Sequence, residues 1–422
     1  MDRFSNVLIG IGIFLFALII SAGVAQSADT VVTGTNDPAQ DVQSVQKAVD
    51  QGGIVLLKGK FNFGEKGRVI VKNDIQILGE ADGKGTPKTQ VIGGMWSFFS
   101  PLPSKDDPPL SPGPKVIIKN IHFDGAIWTP IHLPYTSGAV ISGNKITRVS
   151  PFPTPMKWQG GETLLVHAGA ILGTRFFNPA KFLPGTTGHL FFENNEVDIP
   201  CEKPEVTMGQ GVFFLWTWGA HIEVKGNSFK NVSRNSVESL DNYRDNEGRG
   251  QVFIRNNKII PPTTGCPFPG PTSFPNGIVA GWFLDPAGGQ DPEKYSKIVI
   301  MNNYIEAKGE LSSGIIGLSD EMTIANNQII LSGGPKSKGI THTGSHGFVA
   351  ENKIEGSGAY GIGVMPYRDV LKGSHNTFVS NDFRLLKASM ADFLCEGGNN
   401  TIVGSPCNLQ DKGKENRIFL KD

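Results

Sequence analysis

Beyond residue 170 the chain places side chains able to do chemistry at recurring intervals, each set following a short apolar stretch. The sets are Arg175; Trp216 and Trp218; Asp241, Tyr243, Arg244 and Asp245; Trp282 and Asp285; Asp320 and Glu321; His342 and His346; and Tyr367, Arg368 and Asp369. Indole and phenol rings offer flat apolar faces with a polar edge, carboxylates accept from hydroxyls, and arginine grips a carboxylate through two parallel N–H bonds. Those are the groups with which an exposed groove holds a chain of sugars, acidic ones above all. Trp216, Trp218, Trp282, Asp320, Tyr367 and Arg175 are the binding candidates. Arg244 and Arg368 are candidates for neutralising a carboxylate, and His342, His346, Asp241 and Tyr243 for moving a proton.

Each set also has a plainer reading, in which the tryptophans seal loops and the charges solvate a surface. Glu238, Asp241, Tyr243, Arg244 and Asp245 form the densest ionisable group, suited to acid–base work or to Ca²⁺, or to nothing more than a charged turn. His342 and His346 stand in a His-x-x-x-His spacing, which gathers a metal only on a helix; the segment reads as strand and turn, so no metal site is expected. His122 and His132 have no evident partner and read as structural. Phosphate loops, serine nucleophile elbows and cysteine metal clusters are all missing from the sequence.

The elements that must position these residues are announced by a repeat. Asn-x-aliphatic or Asn-x-Phe recurs at residues 144–146, 195–197, 227–229, 257–259, 303–305, 327–329, 352–354 and 381–383, with Asn, Gly or Glu often just before it. A second marker precedes most copies: Gly277-Ile278, Gly314-Ile315, Gly339-Ile340 and Gly361-Ile362. One unit spans roughly 22 to 25 residues, and the steps of 51 from Asn144 to Asn195 and of 46 from Asn257 to Asn303 read as two units each. Residues 168–172 and 277–282 are the intermediate strands. Short alternating runs such as Val252-Phe253-Ile254 signal strands that cannot bury a face alone and must stack. Asn suits the corner because it tolerates a left-handed backbone and because its amide can bond to the Asn of the next unit.

On those corners the chain resembles the right-handed parallel β-helix superfamily, the pectin lyase-like fold, over about residues 40–420. The resemblance implies an all-β solenoid with a groove walled by loops, here the Pro-rich insertions near residues 101–114, 151–161, 261–275 and 285–295. It implies no single activity, because that fold hosts lyases, hydrolases, epimerases, esterases and binding proteins. The His-Gly of the pectin-hydrolysing members has a counterpart in His346-Gly347, without their other motifs. The Asp-Pro-His of the alginate epimerases has none. Val42, Val45 and Val49 at helical spacing predict an N-terminal capping helix over 38–52, and residues 390–422 read as the last coil and its cap.

Arg3, an apolar run over residues 7–20 and the small residues after it read as a secretory signal peptide over 1–27, the alternative being an uncleaved membrane anchor. The expected body is then one β-helix domain over 28–422, secreted, periplasmic or at the cell surface. Lys plus Arg and Asp plus Glu both number 39, so composition gives no argument for nucleic acid or an anionic membrane. Four cysteines in an oxidising compartment suggest bridges Cys201–Cys266 and Cys395–Cys407, against four free thiols. The leading expectation is a protein that binds a polysaccharide, with β-elimination as its enzymatic extension and Ca²⁺ as the one cofactor a lyase would need. The rival is a non-catalytic surface, adhesion or accessory binding protein, because Leu172, Phe213, Leu215, Val279, Ile316 and Leu318 make the outward strand face apolar.

Overall fold

The computed structural model describes residues 29–101, 113–149, 156–157, 163–164, 167–174, 186–200, 208–215, 217–263, 275–282, 295–367, 370–404 and 407–420. Residues 1–28, which include the expected signal peptide, and Arg175, Trp216, Asp285, Arg368, Asp369, Cys201 and Cys266 lie outside them. The chain is a right-handed parallel β-helix. One sheet of 14 parallel strands forms its first face. A second network of 21 strands runs as two ladders, a second and a third face, which merge where the long strands Lys353–Val364 and Leu386–Cys395 span both. Each coil crosses the first face, turns at the Asn corner, crosses the short second face and returns along the third.

The core follows from the strand period of two. Ile146, Val197, Phe229, Ile259, Ile305 and Ile329 stack in register on the second face, all fully buried. Val212, Val237, Ile278, Ile315, Ile340 and Ile362 do the same on the third. Each such side chain contributes about 1.5–3 kcal/mol by leaving water. The Gly-Ile marker has a steric cause. A Cβ on Gly277 would lie 2.4 Å from the Gly314 carbonyl oxygen, and one on Gly339 would lie 2.2 Å from that of Gly361.

At the Asn corner two residues divide the work expected of one. The residue before the ladder Asn takes the left-handed conformation: Asn194, Asn256, Asn302 and Asn326 have φ of 54°, 56°, 56° and 54°. The ladder Asn is buried, and its amide bridges coils. Asn257 donates its backbone N–H and its Nδ2 to Asn303 Oδ1, both at 3.0 Å, and Asn303 repeats this to Asn327 at 3.0 and 2.9 Å. The ladder also corrects the count of coils. Asn144 donates straight to Asn195 Oδ1 at 2.9 Å, so the 51-residue step is one coil, as is the 46-residue step to Asn303. The strands His167–Thr174 and Asn276–Gly281 are the third-face strands of those coils.

Helix α1, Pro38–Gln51, closes the N-terminal end. Asp37 caps it by accepting from the N–H groups of Ala39 and Gln40, with Pro38 in the first turn. Val45, Ala48 and Val49 seal the core. The buried Asp41 ties the helix to the first coils through the N–H groups of Thr35 and Asn62, each at 2.7 Å. Cys395 and Cys407 are free thiols, so the expected bridge between them is not formed; burial pushes both up to about 11. Among the described residues no helix is long and apolar enough to cross a membrane.

Candidate functional site

The third face turns back into the first at a corner built like the Asn corner. Glu321, His346, His375 and Asn399 occupy equivalent places in successive coils with φ of 54°, 57°, 57° and 56°, and each exposes its side chain or lies at the exposed edge. Each N–H reaches the next coil, as from Glu321 to Ser345 O at 2.8 Å and from His346 to Ser374 O at 3.1 Å. Left-handed backbone turns these side chains outward in a line, one per coil, at the roughly 4.8 Å rung spacing of stacked strands.

That line is ionic. Arg244 Nη2 lies 3.2 Å from Glu321 Oε2, and Lys297 Nζ lies 3.9 Å from the same oxygen. The imidazoles of His346 and His375 stack at 5.1 Å between centroids, 16° from parallel. Asp320 sits beside them and accepts the Ser345 N–H at 2.5 Å. Burial pushes the Asp320 carboxyl above the usual range, opposed by that N–H and by His346. The Ser345 and Ser374 hydroxyls lie 3.1 Å apart, and the latter is 3.2 Å from His375 Nδ1, so a hydrogen-bonded chain leads from the Ser345 hydroxyl to the second histidine.

Beside this line lies an aromatic cluster. Trp218 and Tyr243 are bridged across adjacent coils with ring centroids 6.3 Å apart, Tyr243 and Tyr295 stack at 5.2 Å, and Trp282 meets Tyr367 edge-on at 6.0 Å. Tyr243 and Trp282 are buried, while Trp218 and Tyr367 are half-exposed. The adjoining outward face of the third sheet is apolar as the sequence suggested. Leu240, Val279 and Leu318 form a cluster with Phe213, Leu215 and Ile316, covered by Tyr367, Val370 and Leu371.

The structure thus gathers Trp218, Tyr243, Arg244, Trp282, Asp320, His346 and Tyr367 into one region, and it removes two candidates. His342 does not belong to the outward line. It stands one strand earlier, in the inward column between Gly317 and Val364, fully buried. Asp241 is fully buried as well, so neither side chain reaches a ligand from outside. The dense carboxylate group also separates. Asp245 pairs with Arg249 at 2.6 Å, and Glu238 accepts from the Gln210 and Asn235 side-chain amides, each at 2.5 Å. No group of three or more His, Cys, Asp or Glu among the described residues is arranged to hold a metal ion. His375 was missed, although Ser345-His346-Gly347 and Ser374-His375-Asn376 enter successive first-face strands alike.

No protein-family model matches the chain, and no match is found among curated proteins. Among solved structures it is similar to the A-module of the mannuronan C-5 epimerase AlgE4 of Azotobacter vinelandii, at 11% identity over 88% of this chain and 96% of that one, TM-score 0.44. It is similar to the surface protein and adhesin PfbA of Streptococcus pneumoniae, at 11% identity over 94% and 100%, TM-score 0.46. It is also similar to a mannuronic acid specific polysaccharide family 6 lyase from human gut microbiota, at 11% identity over 93% and 82%, TM-score 0.43. At that level of identity and overlap none of them assigns a function to this chain.

Proposed function

We propose that the protein is exported and binds an acidic polysaccharide along the corner that carries Arg244, Glu321, His346 and His375. The observation that supports this reading is the outward line of polar side chains Glu321, His346, His375 and Asn399, one per coil, with Arg244 at Glu321 and the half-exposed Trp218 and Tyr367 beside it. An extended ligand meets a repeated surface at a repeated spacing. Arg244 supplies a fork for a uronate carboxylate, Asp320 accepts from sugar hydroxyls, and the aromatic edges take the apolar faces of the rings. Calorimetric titration with polyuronates and with a neutral glucan tests it. Binding of the uronate polymers that the pair Arg244→Ala and Trp218→Ala leaves unchanged would sink the assignment of this corner.

Cleavage is the enzymatic extension of the same reading. Arg244 would neutralise the uronate carboxylate, and His346, the exposed one among the expected proton-moving groups His342, His346, Asp241 and Tyr243, would take the proton from C5. The C5–H electron pair would become the C4=C5 double bond as the C4–O bond breaks and the leaving sugar departs. The appearance of ultraviolet-absorbing unsaturated products on any uronate polymer, with or without added Ca²⁺, distinguishes a lyase from a binder. The non-catalytic reading is favoured by the burial of His342, Asp241, Tyr243 and Trp282, which leaves the region richer in surface than in pocket.

A further inference from the structure

A second aromatic and cationic cluster lies on the same outer face, towards the N-terminal end. Trp96 and Trp128 stand in adjacent coils just before third-face strands, and both have left-handed backbone, φ 57° and 68°. At the other corners that conformation falls mostly to Asn, Gly, His or Glu. A bulky aromatic residue there is a steric outlier, and two in one place are strain that the rest of the fold has to hold. The two indoles lie 4.9 Å apart, Trp96 meets His132 edge-on at 4.8 Å, and Phe99 meets His132 at 5.2 Å. Trp128 and His132 form a buried floor, and Trp96 and Phe99 are half-exposed above it.

Arg68, from the preceding coil, lies over this layer with its guanidinium carbon 4.2 Å from the Trp96 ring centre and 5.2 Å from that of Phe99. Its one hydrogen bond among the described residues runs from Nε to the Met95 carbonyl at 3.1 Å, and no carboxylate among them pairs with it. Arg148, Arg244, Arg249, Arg255 and Arg384, by contrast, each hold a carboxylate. Arg68 is therefore a fixed planar cation, oriented by stacking and by one carbonyl, with its Nη groups left for an external anion.

We propose that Arg68, Trp96 and Phe99, seated on Trp128 and His132, form a second binding site for a carboxylate-bearing sugar. The carboxylate meets the guanidinium fork, and the C–H face of the sugar meets the half-exposed rings. For the sugar, this rests on the polysaccharide reading above; the anion and the aromatic surface follow from the cluster itself. The column Phe99, His132, Leu172, Phe213 and Glu238 runs in register from this site to the coil of Tyr243 and Arg244. Four rungs of about 4.8 Å put the two sites about 19 Å apart along the axis, within reach of one oligosaccharide chain.

The test uses the full chain, titrated calorimetrically with a short oligouronate and with its carboxyl-reduced neutral counterpart. Two equivalents of the oligouronate and weaker or no uptake of the neutral sugar are expected. Arg68→Gln should remove one equivalent or lower its affinity by at least about tenfold, Arg68→Lys should fall between because it keeps charge without the fork, and Arg244→Ala should remove the other equivalent. Urea midpoints of all three variants confirm that each is folded. If Arg68→Gln binds as the unaltered chain does while Arg244→Ala loses binding, this second site is overturned and the proposed function stands. If Arg68→Gln loses binding while Arg244→Ala does not, the second site stands and the corner assignment falls. Failure of the unaltered chain to bind any oligouronate overturns both.

Discussion

His342 Nε2 lies 3.1 Å from Asn376 Oδ1, the oxygen that also accepts the Gly347 backbone N–H at 2.6 Å. Because that oxygen only accepts, Nε2 carries the proton and Nδ1 is the bare nitrogen, buried and without a partner. Charging this imidazole would place a second proton in the aliphatic interior. Burial accordingly pushes His342 down to about 4, and burial together with Arg68 pushes His132 down to about 3.

Acid should therefore unfold the chain through these two residues. An unfolded imidazole titrates near 6.5, so as pH falls from about 6.5 towards 4 the unfolded chain holds more protons than the folded one. The stability contributed by keeping both histidines neutral is fully present above pH 6.5 and is lost on the way down, at up to about 1.4 kcal/mol per pH unit for each. His342→Leu, which fits the inward column beside Val364, should flatten the dependence of the urea midpoint on pH between 7 and 5. An unchanged slope would show that His342 does not govern it.

A rung in the middle of the Asn ladder should be costly to remove. Asn303→Ala orphans the backbone N–H of Asn257, takes one of the two acceptors of Asn257 Nδ2, and removes the Nδ2 donor to Asn327 Oδ1 and the Ile254 carbonyl, while the backbone N–H of residue 303 still reaches Asn327. At about 1–3 kcal/mol for each buried group left unpaired, a loss of roughly 3–5 kcal/mol is expected in equilibrium unfolding. The exposed neighbour Asn302 is the control. Asn302→Gly keeps the left-handed turn and should change stability by well under about 1 kcal/mol.

Glu321 competes with any acidic ligand for Arg244. The pair is partly solvated, with side-chain exposures of 22% and 52%, so its contribution to stability should be at most about 1 kcal/mol. Glu321→Gln should leave the thermal midpoint nearly unchanged and raise affinity for uronate polymers several-fold. Weaker binding of that variant would indicate that Glu321 itself holds the ligand.

Gly317 makes room for His342. A Cβ there would lie 2.6 Å from Met322 Sδ and 3.3 Å from His342 Nδ1. Gly317→Ala should cost about 1–3 kcal/mol in urea unfolding, and in the His342→Leu background the two costs should not add, because both act on one packed contact.

Much of this fold was legible because its corners repeat in residue type. Asn-x-Ile marked the ladder, and Gly-Ile marked where backbones of adjacent coils approach too closely for a Cβ. What misled was sequence distance. The 51 residues between Asn144 and Asn195 look like two coils, yet Asn144 donates directly to Asn195, so they make one. The same uncertainty of register placed His342 on the outward stripe, where a shift of one residue exchanges inside for outside. His375, Arg68, Trp96 and Trp128 escaped notice because their shared feature is backbone conformation at equivalent corners, which residue type signals only weakly.

The Asn ladder joins rungs 24 residues apart in the sequence, Asn303 to Asn327, with the same geometry as rungs 51 apart, Asn144 to Asn195. Doubling a loop costs only about 0.6 kcal/mol of closure entropy. The scaffold is thus indifferent to how many residues lie between the strands of one coil, and such connections can be lengthened, shortened or exchanged without re-registering the coils on either side. Recognition and architecture are in this sense separately heritable. A lineage can change what the solenoid grips while leaving untouched the amides that hold it in phase.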